Sequence, residues 1–208
     1  MKLELHTAGL AVLLALAACS GPRGGETRTA PPGTRLYFDE HHLDPKDVTL
    51  HGVAEAHAKD LAVEGAHGVD YERYWVDAKT GTIYCLVRAP SARAAEDVHR
   101  LAHGLVADDI REVEPGILPA RASGGKRLFL DTHEVGPGVR AADVAEAHKK
   151  DLAVQGAHGV RFLEYWVDEK GGRIHCLVEA PDESAVVETH RAAHGLLPEA
   201  VHEVVAGG

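Results

Sequence analysis

Residues 53–68 read VAEAHAKDLAVEGAHG, and residues 144–159 read VAEAHKKDLAVQGAHG. The two stretches differ at only two positions, so the chain carries an internal duplication. Each copy has the apolar spacing of a helix and ends at a glycine, the residue most common just past a helix. The fold must therefore accommodate the same histidine-bearing helical unit twice.

The segments around each copy alternate apolar and polar residues, as β-strands do. In the first copy, strands are predicted at residues 35–41, 71–77, 82–89 and 110–113, and a second helix at 91–103. The second copy repeats this β-α-β-β-α-β order, which is that of the ferredoxin-like fold. Such a sheet has helices on one face only. We therefore predict an α+β protein of two tandem ferredoxin-like βαββαβ domains, packed as a pseudo-dimer through their sheets.

Composition between the predicted elements sets the domain boundaries. The predicted segments are a signal peptide at residues 1–19, a flexible tether at 20–34, the first repeat at 35–114, a linker at 115–126 and the second repeat at 127–205. The tether is rich in glycine, proline and polar residues, a composition typical of a flexible spacer.

The first twenty residues, MKLELHTAGLAVLLALAACS, contain an apolar run too short to span a bilayer. The run fits the core of a secretory signal, and the residues that end at Cys19 resemble a bacterial lipobox. We predict that Cys19 is lipidated and that the exported chain is anchored to the cell envelope, facing the periplasm or in the outer membrane. The alternative is an ordinary signal peptide with an incidental cysteine.

The formal net charge of −10 argues against nucleic acid and against an anionic membrane surface as partners. It suits cations, or simply a well-solvated surface. Fifteen histidines are the main departure from an average composition. The sequence also has no CxxC, Walker A, GxSxG or HExxH motif, so no nucleophile paired with a base can be recognised.

The sharpest chemical signal is a pair of histidines four residues apart on the second helix of each copy. These pairs are His99 with His103 and His190 with His194. Spacing of four places both imidazoles on one helix face, where they can bind a transition metal. A structural role is the alternative, because a cation at a helix C-terminus is stabilised by the helix dipole.

The first strand of each copy offers a carboxylate and an imidazole on one face: Asp39 with His41, and Asp131 with His133. Because leucine and phenylalanine occupy the opposite face, we expect these four side chains on the bare face of the sheet, toward the other repeat. Such a donor set suits nickel, zinc, copper or cobalt. The alternative is that each aspartate only orients its histidine or pairs with an arginine.

His57 and His148 fall in the apolar stripe of the duplicated helix. They are further candidate metal ligands, although a histidine in such a stripe is more often a core residue. Cys85 and Cys176 alternate with core residues of the third strand and are predicted to be buried thiols.

The pattern FLDTHEVGPGV…DVAEAHKKDL…YWVDEKGGRIHCLVEAP…HRAAHGL resembles the small bacterial nickel-binding proteins of ferredoxin-like fold, which form homodimers. The resemblance covers about residues 35–113 and 127–204. It implies that histidines bind nickel at the motif positions His133, His148, His190 and His194, and at their first-copy equivalents. Fusion of two copies and lipid anchoring depart from the family pattern.

Three functions remain open from the sequence. The favoured one is the binding or buffering of a divalent transition metal, nickel by resemblance, in the cell envelope. The second is an enzyme of the dimeric α/β-barrel kind, with a small organic substrate between the two sheets, lined by Asp39, His41, Asp131, His133 and His175. The third is an interaction module without chemistry.

Overall fold

The computed structural model of the chain describes residues 32–117 and 126–208. The predicted signal peptide and the lipidation site Cys19 lie outside these residues. Within the described ranges, no helix is long and apolar enough to cross a membrane.

The two repeats share one order of helices and strands. In the first repeat the elements are β1 (Arg35–His42), α1 (Leu50–Val63), β2 (Asp70–Asp77), β3 (Thr82–Ala89), α2 (Ala92–Ala102), β4 (Asp109–Glu112) and β5 (Glu114–Ile117). In the second they are β6 (Arg127–Glu134), α3 (Ala141–Val154), β7 (Arg161–Asp168), β8 (Arg173–Ala180), α4 (Glu183–Ala193) and β9 (Ala200–Gly207). The predicted β-α-β-β-α-β order is confirmed in both repeats.

The duplicated helix begins and ends where the sequence signals it. The Thr49 hydroxyl accepts a hydrogen bond from the Gly52 amide at 3.0 Å, which satisfies a free amide at the start of α1. After Val63 the helix tightens into a short 3₁₀ turn that ends at Gly68. Gly68 has a φ of +64°, a left-handed conformation that glycine adopts without steric cost.

All described strands belong to one antiparallel sheet in the order β4-β1-β3-β2-β9-β6-β8-β7-β5. Strand β9 joins the repeats, because residues 200–204 pair with β6 and residues 205–207 pair with β2. On the other side β4 pairs with β1, and β5, which follows it directly, pairs with β7. The two end strands of the sheet are therefore consecutive in the chain, and the sheet closes on itself.

Strand β5 occupies the start of the segment predicted as a linker. Its sequence, EPGI, contains a proline and a glycine and does not have a strand pattern. Pairing requires this glycine, since a Cβ on Gly116 would lie 1.8 Å from Cζ of Tyr165. The second repeat has the same contact, where a Cβ on Gly207 would lie 2.2 Å from Cζ of Tyr74.

The inner faces of the two sheet halves pack against each other. Their shared core contains residues of both repeats: Leu36, Phe38, Trp75, Tyr84, Leu86, Val113, Leu130, Leu163, Trp166, Leu177 and Val204. The two tryptophan rings lie 5.2 Å apart between their centroids. The predicted fold class, tandem ferredoxin-like repeats joined through their sheets, is confirmed.

An ion pair joins equivalent positions of the two repeats. Arg73 and Glu164 form two hydrogen bonds of 2.6 and 2.7 Å. The guanidinium of Arg73 also lies 5.2 Å from the ring centroid of Trp75. Duplication would have placed two identical residues here, so the pair shows that the repeats have diverged to complementary charges.

Reversing one of these charges is expected to destabilise the fold. Glu164→Arg places two guanidinium groups together, and because the pair is about one-third exposed we expect a loss of roughly 1–2 kcal/mol. The double variant Arg73→Glu/Glu164→Arg should recover much of this loss. Urea unfolding measures both, with Lys59→Glu on an exposed helix face as the control. Equal stabilities of the single and double reversals would show that the pair is not coupled.

Candidate metal centre

Asp39 and His41 lie on the face of β1 that packs against the helices, and Asp131 and His133 lie on the same face of β6. His99 of α2 contacts Asp39, and His190 of α4 contacts Asp131. The expectation that these strand residues face the other repeat is therefore wrong. Both faces of each sheet half are buried, so the apolar residues that were taken to mark the helix-facing side instead fill the core between the sheets.

The first repeat gathers five polar side chains under its helices, here called the repeat-1 cluster: Asp39, His41, Asp60, His99 and His103. His99 sits between two carboxylates, with Nε2 3.1 Å from Asp39 Oδ2 and Nδ1 3.0 Å from Asp60 Oδ1. His103 Nε2 lies 3.2 Å from Asp60 Oδ1, and His41 Nε2 lies 3.6 Å from Asp39 Oδ1.

The second repeat builds the same arrangement, here called the repeat-2 cluster: Asp131, His133, Asp151, His190 and His194. His190 Nε2 lies 3.3 Å from Asp131 Oδ2, and its Nδ1 lies 3.1 Å from Asp151 Oδ1. His133 Nε2 lies 3.2 Å from Asp131 Oδ1. The full set recurs at equivalent positions, so both predicted helical histidine pairs come together with both predicted strand pairs.

The central histidine of each cluster carries a proton when no metal is bound. Burial by itself lowers the pKa of His99, but hydrogen bonds and charges from Asp39 and Asp60 outweigh it and raise the pKa to about 9. The same balance raises the pKa of His190 to about 10. Each is therefore an imidazolium held between two carboxylates at neutral pH.

The strand carboxylates stay ionised although they are fully buried. Burial favours the neutral acid, but hydrogen bonds and charges from the adjacent histidines lower the pKa of Asp39 and Asp131 well below the usual value. Ionised oxygens and imidazole nitrogens within a few ångströms are the donors of a transition-metal site. The protonated central histidine supplies a positive charge between the carboxylates, as a bound cation would.

The donor atoms have spacings that fit one ion. In each repeat, one oxygen or nitrogen from the strand aspartate, the strand histidine and the central histidine lie within 4.8 Å of one another. Cys85 Sγ joins the first of these groups. Two ligands with bonds of about 2.1 Å, set at right angles or slightly wider, are about 3.0–3.4 Å apart. Three of the four aspartate–histidine separations given above for these groups, 3.1, 3.2 and 3.3 Å, fall in this range, and the fourth is 3.6 Å.

Several buried donor atoms of these groups also lack a hydrogen bond of good geometry. Among the described residues, Asp39 Oδ1, Asp131 Oδ1 and His133 Nδ1 are buried and make no hydrogen bond of acceptable geometry. An unsatisfied buried polar atom costs about 1–3 kcal/mol, and such atoms cluster where a ligand or ion belongs. All three belong to the strand pairs, so they point to the inner end of each cluster as the position of a metal.

A second group of donors lies nearer the surface and shares the central histidine. It comprises Asp60, His99 and His103 in the first repeat, and Asp151, His190 and His194 in the second. A neutral imidazole binds a metal through one nitrogen and donates its other N–H to a carboxylate that fixes the ring. His99 therefore binds one ion at a time, and Asp60 is placed to accept a hydrogen bond from its Nδ1–H.

Two other predicted candidates lie close to the clusters but outside these donor groups. His57 and His148 are buried on α1 and α3, and their rings pack on Tyr74 at 4.8 Å and on Tyr165 at 4.4 Å between centroids. Burial lowers the pKa of His148 to about 4, so this ring is neutral.

His175 lies in the shared core between the sheet halves, where its ring stacks on Phe38 at 4.4 Å. Burial lowers its pKa to about 3, and its Nδ1 lies 3.0 Å from Thr132 Oγ1. It is the only one of the five residues proposed for a substrate cavity between the sheets that the described structure places there. The other four face the helices, and large side chains fill that core.

The aspartates of the duplicated helix were not predicted to contact the histidines of the second helix. Asp60 and Asp151 are 2% and 1% exposed, and each contacts both histidines of the neighbouring helix. The sequence did carry a signal for them. Val53, His57 and Asp60 are spaced as one helix face, so an aspartate interrupts the buried stripe at the same position in both copies.

Comparison with known proteins places this architecture in a family. The family described as nickel responsive protein SCO4226-like matches residues 37–113 and 129–204, which is most of the chain and both repeats. The chain belongs to this SCO4226-like family.

Solved structures with similar folds include SCO4226 from Streptomyces coelicolor A3(2). It is 34% identical over 39% of this chain and 99% of that one, with a TM-score of 0.37. A mutant chlorite dismutase from Candidatus Nitrospira defluvii is 11% identical over 84% of this chain and 90% of that one, with a TM-score of 0.47. No curated protein is significantly similar to the chain.

Proposed function

We propose that the chain binds nickel in the cell envelope, with one ion in each repeat. The observation that carries the proposal is the group of buried donors from the strand pair and the central histidine at the inner end of each cluster, some of whose donor atoms make no hydrogen bond of good geometry. In the first repeat the ligands are Asp39, His41 and His99. In the second they are Asp131, His133 and His190.

Nickel is favoured by the family description, and the donor chemistry limits the ion to a transition metal. Two imidazoles with one carboxylate suit Ni²⁺, Zn²⁺ or Cu²⁺, and a hard ion such as Mg²⁺ prefers oxygen donors alone. The thiol of Cys85, which lies within the donor group of the first repeat, favours the softer metals of this set. The chain thus acts as a binder or buffer of a divalent transition metal.

Calorimetric titration of residues 20–208 with Ni²⁺, and then with Zn²⁺, tests this function. We expect two nickel ions per chain, held more tightly than zinc. A variant with His42→Ala and His51→Ala is the control, because both side chains are largely exposed and lie outside the clusters. Absence of binding of either ion at pH 7.5 would contradict the proposal.

Removing the carboxylate behind the central histidine should weaken nickel binding without removing a ligand. Asp60→Asn with Asp151→Asn keeps the side-chain size but withdraws the charge that accepts the N–H of His99 and His190. Loss of such a supporting group costs about 10- to 100-fold in affinity. The same titration measures it, and Glu55→Gln with Glu146→Gln, on the exposed face of the same two helices, is the control. An unchanged affinity would place Asp60 outside the site.

Anchoring at the envelope is the second part of the proposal and rests on residues 1–19. Metabolic labelling with a radioactive or clickable fatty acid should mark the full chain expressed in a bacterium. The variant Cys19→Ala should lose the label and remain unprocessed or soluble. Labelling that persists in this variant would contradict lipidation at Cys19.

A further inference from the structure

The third strand of each repeat carries a cysteine at the same position, next to the cluster of that repeat. Cys85 lies directly opposite Asp39 on the neighbouring strand, and Cys176 lies directly opposite Asp131. Side chains of directly opposite residues in an antiparallel pair point to the same face of the sheet. Both cysteines are buried free thiols, and both therefore lie on the helix-facing side with the aspartates.

The two cysteines differ in their distance from the donors of the proposed nickel sites. In the first repeat, the sulfur of Cys85 and one donor atom from each of Asp39, His41 and His99 all lie within 4.8 Å of one another. Among the described residues, the corresponding group of the second repeat contains its aspartate and both its histidines, but not Cys176. The first site therefore has four protein donors, and the second has three.

The four donors of the first repeat can reach one ion. Metal bonds of about 2.1 Å to nitrogen or oxygen and about 2.3 Å to sulfur place two ligands about 3 to 4.4 Å apart, depending on the angle between them. The donors lie within 4.8 Å of one another, so small side-chain shifts bring them into this range. Asp39 Oδ1 is also buried without a hydrogen bond of good geometry, and an ion bound between these donors would satisfy it.

A sulfur ligand changes the chemistry of the site that contains it. A thiol that coordinates a metal ion is deprotonated, so the Cys85 proton would leave to solvent as the sulfur–nickel bond forms. Four protein ligands close the coordination shell of a tetrahedral ion, whereas three protein ligands leave a position for water. The first site is therefore the more closed of the two.

The space beside the two clusters differs in the same sense. The pocket next to the repeat-1 cluster has a volume of about 160 Å³, and the pocket next to the repeat-2 cluster has a volume of about 240 Å³. A water molecule takes up about 30 Å³ in the liquid, so the second pocket has room for the water that a three-donor site requires. The larger pocket thus lies beside the site with fewer protein ligands.

We infer that Cys85 is the fourth ligand of the first nickel site and that the two sites of the chain are chemically different. The inference rests on the proposed nickel sites and deepens them. The first repeat holds its ion through a thiolate and releases it slowly. The second repeat completes the coordination of its ion with water and exchanges that ion with the solution.

Near-ultraviolet absorption of the nickel-loaded chain detects the sulfur ligand. A nickel–thiolate bond gives a charge-transfer band there that imidazole and carboxylate ligands do not give. Residues 20–208 contain only two cysteines, so the band can be assigned by two variants. We expect a band that saturates at one nickel ion per chain, while calorimetry of the same sample counts two.

Replacing each cysteine by serine assigns the band. Cys85→Ser should abolish it and weaken one of the two sites by at least about tenfold, since loss of a mere supporting group already costs that much. Cys176→Ser is the matched control, because it makes the same change at the equivalent buried position, and it should keep the band and both affinities. Cys85→Ala replaces the serine variant if circular dichroism shows that the latter is misfolded.

Removal of nickel by excess EDTA measures the difference in exchange. We expect two phases of equal amplitude from the parent chain, with the absorption band lost only in the slow phase. In Cys85→Ser both ions should leave in the fast phase. A purely structural role of Cys85 would change neither the band nor the number of phases.

The outcomes separate this inference from the proposed function. Two bound nickel ions without a charge-transfer band would overturn the sulfur ligand and leave the nickel sites intact. A band that persists in Cys85→Ser, that disappears in Cys176→Ser, or that saturates only at two ions per chain would also overturn the inference. A parent chain that binds no nickel would overturn both.

Discussion

Replacing His99 and His190 together by glutamine is expected to abolish nickel binding at micromolar concentration. Each of these histidines lies within hydrogen-bonding distance of both aspartates of its cluster. Its loss removes one of three ligands, so we expect each site to weaken by more than about a hundredfold. Glutamine keeps much of the side-chain volume and can still donate to a carboxylate, which limits damage to the fold.

Single replacements test the two nickel sites separately. His99→Gln alone should leave one nickel ion per chain, and so should His190→Gln, because the clusters belong to separate repeats. Equilibrium dialysis with metal analysis counts the ions. His51→Ala is the matched control, since this side chain is largely exposed on α1 and outside the clusters. A single variant that still binds two ions, or none, would contradict two independent sites.

Nickel affinity is expected to rise about tenfold per pH unit and to level off above pH 9 to 10. His99 and His190 have raised pKa values of about 9 and 10, so each carries a proton below these values that nickel must displace. Lowering the pH from 8 to 6 should therefore weaken each site about a hundredfold.

Calorimetry at pH 7 in buffers of different ionisation enthalpy measures the proton release directly. About one proton per nickel ion is expected from the central histidines. The metal-free chain should also lose stability as the pH rises from about 6.5 and level off at about 9 to 10, because over this window only the folded state keeps the imidazolium. Bound nickel replaces that charge, so the loaded chain should lack this decline. Nickel binding without proton release would contradict the protonated cluster.

The sequence predicted most of the fold because the duplication removes ambiguity. Each weak local signal occurs twice, and the cap at Thr49 and the left-handed Gly68 define the helix. What it missed depended on long-range contacts. Strand β5 forms only because Gly116 lets the chain approach Tyr165, a residue far along the sequence.

The sequence predicted most of the residues of the candidate site, but it did not predict how they are arranged. Alternation shows that Asp39 and His41 share a face of β1, but it does not identify which face meets the helices. When both faces are buried, as here, hydrophobicity cannot distinguish them. Asp60 was missed as a member of the cluster because its partners, His99 and His103, are about forty residues away.

Anomalous diffraction at the nickel edge, from crystals of the nickel-loaded chain, tests the central claim most directly. We expect two peaks per chain. One should lie beside Asp39, His41 and His99, and the other beside Asp131, His133 and His190. Peaks located only at surface histidines, or in the shared core beside His175, would contradict it.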